Sequence, residues 1–129
     1  MNYPELKDKV IMIVEDEEND WLYLKNSLKN IQARLIWARV AQEAIDIVTS
    51  GEKIDLILMD MKMPFIDGFE ATKRIKKINK DIPIIAQTAY AQPKEKVRCF
   101  GAGCDGYVSK PINVDHLLRV ASDLVSKKK

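Results

Sequence analysis

Apolar residues gather along this chain in five short runs: VIMIV at 10–14, ARLIWA at 33–38, DLILM at 55–59, IPIIAQ at 82–87 and GYVS at 106–109. The first, third and fourth are almost unbroken rather than alternating, the pattern of parallel strands buried on both faces. Between the runs the apolar positions change to helical spacing. Leu22, Leu24, Leu28 and Ile31 mark the first such segment, and Ala44, Ile45, Ile47 and Val48 the second. Ala71, Ile75 and Ile78 mark the third, and Val114, Leu117, Leu118, Ala121 and Val125 form a clear stripe in the last. Segment 93–100 makes the weakest helix, being short and basic with few apolar anchors. Five strand-then-helix repeats imply an α/β sandwich with a parallel sheet and right-handed crossovers.

Composition and charge narrow this picture. With 129 residues, 47% of them hydrophobic, the chain suits one domain over 1–129 with a real core. Charged residues make up 31%, yet the formal net charge is only +2, so nothing asks for nucleic acid or a membrane surface. No apolar stretch approaches the roughly 20 residues of a bilayer span. The opening MNYPELKDK has no apolar signal region. Cys99 and Cys104 flank FGAG instead of forming a Cys-x-x-Cys pair, which favours two reduced thiols in a cytoplasmic protein over a metal or redox role.

In parallel α/β sheets, ligands bind outside the carboxyl ends of the strands. The residues just after each run are therefore the informative ones. Glu15 and Asp16 follow the first run, Asp60 the third, Thr88 the fourth, and Lys110 with Pro111 the fifth. Each has a structural reading of its own, since Asp and Thr are common helix caps and acids near a helix start complement its dipole, which accounts for Glu17, Glu18 and Asp20. The set is harder to explain that way. Three clustered carboxylates repel by several kcal/mol at an effective dielectric of about 20 unless a cation relieves them. Hard oxygen ligands with an open face suit Mg²⁺, which prefers to share a phosphate. A carboxylate beside that ion, faced by Lys and Thr donors, is a phosphoryl acceptor in the making.

The segments VEDEE, LILMDMKMPFIDG, PIIAQTAYA and GCDGYVSKP, taken in this order, resemble the receiver domain of two-component response regulators, over essentially the whole chain. That resemblance implies a flavodoxin-like, doubly wound five-stranded parallel sheet of order 2-1-3-4-5 in a three-layer α/β/α sandwich with five helices. It implies that Asp60 accepts a phosphoryl group from a histidine kinase or histidine phosphotransfer domain. Glu15 and Asp16 match the acidic pair that holds Mg²⁺ with Asp60, and Lys62 matches the position whose backbone carbonyl completes the metal site. Thr88 and the Ala89 N–H would bond phosphoryl oxygens, and Lys110 would neutralise another. Lys110–Pro111 would be a cis peptide, and Asp67–Gly68 matches the turn after the phosphorylation loop. Tyr107, three residues before Lys110, matches the aromatic switch, which would fill the space that Thr88 vacates. Its alternative is plain packing in an edge strand. The readout face for a downstream partner would be the fourth helix, fifth strand and fifth helix, with a phosphorylation-dependent dimer among its uses.

Departures from the family pattern add expectations. Tyr90, two residues after Thr88, is bulky enough to shield the acyl phosphate and slow self-dephosphorylation. Val40–Ala41 stands where Asn-Gly is more usual, which reads as structural variation. Trp37 falls in an edge strand, and Trp21 falls near the acidic cluster, where its fluorescence would report metal binding. His116 lies off the last apolar stripe and so at the surface, a poor phosphohistidine. A haloacid-dehalogenase-like phosphatase also uses a strand-end aspartate with Mg²⁺, but it needs a second acid where this chain has Lys62. A degenerate, phosphorylation-independent binding module would tend to lose one of the five key side chains. PIIAQTAYA and GCDGYVSKPI look most like receivers at the C-terminal end of hybrid sensor histidine kinases. A stand-alone regulator is the alternative, and only in the first case would the parent protein be a kinase.

Overall fold

A computed structural model describes residues 3–89 and 92–127. Among these residues the strands are β1 (Val10–Val14), β2 (Arg34–Ala38), β3 (Leu56–Asp60), β4 (Ile84–Thr88) and β5 (Gly106–Ser109). The α-helices are α1 (Glu18–Ser27), α2 (Ala41–Thr49), α3 (Gly68–Ile78), α4 (Pro93–Ala102) and α5 (Val114–Lys127), with short 3₁₀ turns at Pro4–Leu6 and Lys29–Ile31. All strand pairs are parallel, in the order β2-β1-β3-β4-β5. This is the doubly wound arrangement expected from the sequence.

The three unbroken apolar runs become the three central strands, and every residue of β1, β3 and β4 is buried. Because side chains alternate across a strand, the sheet divides the interior in two. Met12, Val14, Ile57, Met59, Ile84 and Ala86 pack with α2, α3 and α4. Ile11, Ile13, Leu56, Leu58, Ile85 and Val108 pack with α1 and α5. The outer strands are less covered: β2 is exposed at Arg34 and half-buried over its middle, and β5 is only four residues long.

Three helical details differ from the apolar spacing. Leu22 is exposed, since Leu24 and Leu28 define the inward side of α1 and a residue two before Leu24 points away from it. The helix also ends at Ser27, so Leu28 closes it and Ile31 belongs to the next 3₁₀ turn. Ile78, in the last turn of α3, is exposed while Ala71 and Ile75 are fully buried. The weakly patterned segment nonetheless forms a ten-residue α4 that buries only Cys99 and Ala102 and leaves Val97 and Phe100 exposed. Its ends explain it. Pro93 opens the helix, where no N–H is needed, and Gly103 closes it at φ 114°. Both cysteines are free and buried, and burial pushes the Cys104 thiol up to about 12.

The connection from β3 to α3 is tightly built. Asp67 caps α3 by accepting from the Glu70 N–H at 2.9 Å, and the Gly68 N–H donates to the Met61 carbonyl at 3.1 Å. A Cβ at Gly68 would lie 2.5 Å from both the Asp60 carbonyl oxygen and Met61 Cα. Those are backbone atoms and cannot rotate aside. Phe65, in the same loop, has φ 70° and is 98% exposed, so its ring gains nothing from burial. Gly68→Ala is therefore expected to lower stability by about 1–3 kcal/mol and to shift the backbone amide resonances around Asp60. Phe65→Gly is expected to leave stability unchanged or slightly raised. Urea midpoints for the two variants check both.

Candidate functional site

The strand register brings four distant segments to one edge. Val14, the last residue of β1, pairs with Met59 next to Asp60, and Asp60 pairs with Gln87 next to Thr88. Thr88 pairs with Ser109 next to Lys110. Carboxylate oxygens of Glu15, Asp16 and Asp60 all fall within 4.8 Å of one another. Glu15 is fully buried, Asp60 is 3% exposed and Asp16 is exposed. Asp16, Asp60, Lys62, Thr88, Ala89 and Lys110 line a common cleft of about 670 Å³, together with Phe69 and Arg98.

Each buried carboxylate is held by named donors. Asp60 Oδ1 accepts from the Lys62 N–H at 3.1 Å, and Oδ2 faces Lys110 Nζ at 3.5 Å. Glu15 Oε2 accepts from the Glu17 N–H at 3.2 Å and Oε1 accepts from Gln87 Nε2 at 2.9 Å. Lys110 Nζ also lies 3.8 Å from Glu15 Oε1 and 3.7 Å from Asp20 Oδ2. The Lys110–Pro111 peptide, which carries this cation past the end of β5, is cis.

These contacts do not balance the charge. Burial, reinforced by the Asp60 charge, raises the Glu15 carboxyl to about 7 despite the Glu17 N–H and Lys110. Burial also raises Asp60, against the Lys62 N–H and Lys110. Burial alone would lower Lys110, but the Asp60, Glu15 and Asp20 carboxylates outweigh it and hold the ammonium above its ordinary range. One lysine shared among three acids leaves the cluster short of positive charge. An all-oxygen, electron-rich, partly open donor set of this kind fits Mg²⁺.

Of the other residues singled out in the sequence, Thr88 is buried at the end of β4 and Lys62 is exposed at the cleft. Tyr107 is half-buried on β5, packed on the core, with Lys96 Nζ 5.0 Å from its ring centre. His116 is exposed. Tyr90 lies outside the described residues. Trp21 stacks on Trp37 at 5.0 Å with the rings 9° from parallel. Arg39 covers that stack 4.4 Å from the Trp37 ring centre, and Trp37 Nε1 donates to the Glu15 carbonyl at 2.8 Å. The pattern along the chain passed over three participants: Gln87, Trp37 as a hydrogen-bond donor, and Asp20 as an ion-pair partner. Gln87 had a visible signal, being the one amide in an otherwise apolar run.

Comparison with known proteins agrees with this geometry. Residues 11–122 match the response regulator receiver domain family. The chain belongs to that family. Among curated receivers, the polar-differentiation response regulator DivK of Brucella anthropi is 36% identical over 112 residues, covering 85% of this chain and 90% of DivK. The sensor histidine kinase RcsC of Escherichia coli is 32% identical over 108 residues, but this receiver spans only 11% of that kinase's length. Among solved receivers, that of a Pseudomonas aeruginosa sensor histidine kinase superposes with a TM-score of 0.85 at 27% identity, covering 92% of this chain and 98% of the other. It is described with magnesium coordinated in its active-site cleft. A Saccharomyces cerevisiae receiver, co-crystallised with its histidine phosphotransfer protein, superposes with a TM-score of 0.86 at 26% identity over 94% of this chain and 91% of the other.

A pH dependence follows for this receiver without metal. The raised Glu15 carboxyl contributes its stability in full below its unfolded value of about 4.5 and loses it as the pH climbs through about 7. In EDTA, the protein is expected to lose on the order of 2 kcal/mol across that window relative to Glu15→Gln. Urea midpoints at stepped pH would show it, and parallel curves for the two proteins would contradict it.

Proposed function

We propose that this chain is a single phospho-acceptor receiver domain over 1–129, in which Asp60 takes a phosphoryl group from the phosphohistidine of a histidine kinase or histidine phosphotransfer domain. The observation that carries the reading is the asymmetric hold on Asp60. Its Oδ1 is occupied by the Lys62 N–H, while Oδ2 faces Lys110 and the cleft. That orientation presents a carboxylate oxygen to an incoming phosphorus. The new O–P bond forms as the donor's N–P bond breaks, and the imidazole leaves with the electron pair.

The residues around Asp60 then have distinct tasks. Lys110 neutralises one phosphoryl oxygen, and the Thr88 hydroxyl and Ala89 N–H donate to others. Glu15, Asp16, Asp60 and the Lys62 carbonyl would hold Mg²⁺, which when bound offsets the carboxylate charge and spreads that of the phosphoryl group. Movement of Thr88 toward the phosphoryl group would let Tyr107 turn inward, away from Lys96, and so alter the face formed by α4, β5 and α5. A full switch between the two states requires about 5.5 kcal/mol of differential interaction, on the scale of a charge-assisted hydrogen bond and an ion pair made together in a dry site. That face would take the downstream partner or a phosphorylation-dependent second copy.

For the larger context, the motif wording supports a receiver of a hybrid sensor histidine kinase, acting in the cytoplasm. The stand-alone reading is favoured by the match along 90% of DivK. No helix among the described residues is long and apolar enough to cross a membrane.

Incubation with Mg²⁺ and a small-molecule phosphodonor is expected to add one phosphoryl group, read by intact mass. Asp60→Asn and EDTA should each abolish the adduct. A folded protein that gains none would point instead to phosphorylation-independent binding. On the sequence expectation that the bulk of Tyr90, two residues after Thr88, slows self-dephosphorylation, the adduct is expected to outlast removal of donor by well more than seconds, and decay within seconds would dismiss that role for Tyr90.

A further inference from the structure

Gln87 is a polar side chain in a place where the fold asks for an apolar one. It is 1% exposed and lies in β4, whose other residues are Ile84, Ile85, Ala86 and Thr88. Burying an amide costs free energy unless its hydrogen bonds are replaced. Here the replacement is a carboxylate: Gln87 Nε2 donates to Glu15 Oε1 at 2.9 Å, across the sheet from β4 to the end of β1. β3, with Asp60 at its tip, lies between those two strands.

The same residue also holds the backbone beside Asp60. Gln87 pairs with Asp60 in register, and the Gln87 carbonyl accepts from the Met61 N–H at 3.1 Å. One residue thus ties Glu15 through its side chain and the Asp60–Met61 peptide through its backbone. Glu15 has a longer arm than an aspartate and more rotamers to lose. It is gripped at Oε2 by the Glu17 N–H and at Oε1 by Gln87. With both oxygens anchored, the remaining lone pairs keep a fixed direction relative to Asp16 and Asp60.

We infer that Gln87 is a positioning residue of the acidic site, one that orients the Glu15 carboxylate for a divalent cation. Its side chain borders a groove with Leu24, Tyr23 and Ile112 and donates to Glu15, so it acts on the cation through that carboxylate. Partners in this position, behind a metal-ligating carboxylate, commonly set affinity by 10–100-fold. The inference rests on the proposed Mg²⁺ site.

The test is Mg²⁺ titration of the unphosphorylated protein, followed by backbone amide NMR shifts, which needs no phosphoryl transfer. Gln87→Met keeps the length of the side chain and removes the donor; it is expected to weaken Mg²⁺ binding about tenfold while the amide spectrum stays dispersed. Gln87→Leu serves in its place if the methionine variant does not fold. Glu15→Asp, one methylene shorter, takes the carboxylate out of reach of Gln87. Gln87→Met added to Glu15→Asp is expected to cost no more than about twofold further, the non-additivity of a direct contact. Equal losses in both backgrounds, or wild-type affinity in Gln87→Met, would overturn the inference and leave the Mg²⁺ site standing. Failure of the unaltered protein to bind Mg²⁺ at all would overturn both.

Discussion

Repulsion between Glu15 and Asp60 is the interaction on which the rest of this structure turns. Two carboxylates buried side by side would ordinarily drive a chain to exclude one of them or to leave it protonated. Here both sit at the ends of central strands that cannot easily move, since every residue of those strands is buried. Three kinds of relief are supplied: backbone N–H groups from Glu17 and Lys62, the Gln87 amide, and one shared ammonium at Lys110. The relief is partial by construction. A site that remained fully neutralised by its own side chains would have nothing left with which to attract a cation or respond to a phosphoryl group.

The sheet order makes this concentration of charge possible. With β1 and β4 on either side of β3, residues 15, 60 and 87 reach one another although they are far apart along the chain. β5 then adds Lys110 from beyond β4. Rigid placement matters because the useful distances are short. Gly68 contributes to it negatively, through a missing side chain that lets the first turn of α3 lie directly on the Asp60–Met61 backbone.

Much of this was legible beforehand, for a physical reason. Unbroken apolar runs are what doubly covered parallel strands require, so the central strands and the acids at their ends could be read directly from the chain. The receiver motifs then assigned Asp60, Glu15, Asp16, Thr88 and Lys110 their expected roles. What escaped was set by direction and not by residue type. Glu15 and Asp16 look equivalent in sequence, but one is buried and the other exposed although their carboxylates share one cluster. Leu22 looked like core for the same lack of a fixed helix face. α4 looked weak because its stability comes from its proline start and its glycine stop more than from an apolar stripe. Trp37 and Asp20 act through reach across space, of which spacing along the chain holds no trace.

The contrast between inner and outer strands bears on how this chain behaves in a crowd. An exposed strand margin offers unpaired N–H and C=O groups to any neighbouring chain and so invites sheet-to-sheet aggregation. On one side, β2 begins with the exposed Arg34, beside Glu52 at 3.9 Å, and ends against Trp37 with Arg39 laid over its ring. On the other, β5 is cut to four residues, with Lys96 over Tyr107 and Ser109 exposed. A short margin and a cationic one are both poor templates for recruiting another strand. The residues that leave the outer strands looking weakly patterned thus protect a very apolar sheet from polymerising with its own copies.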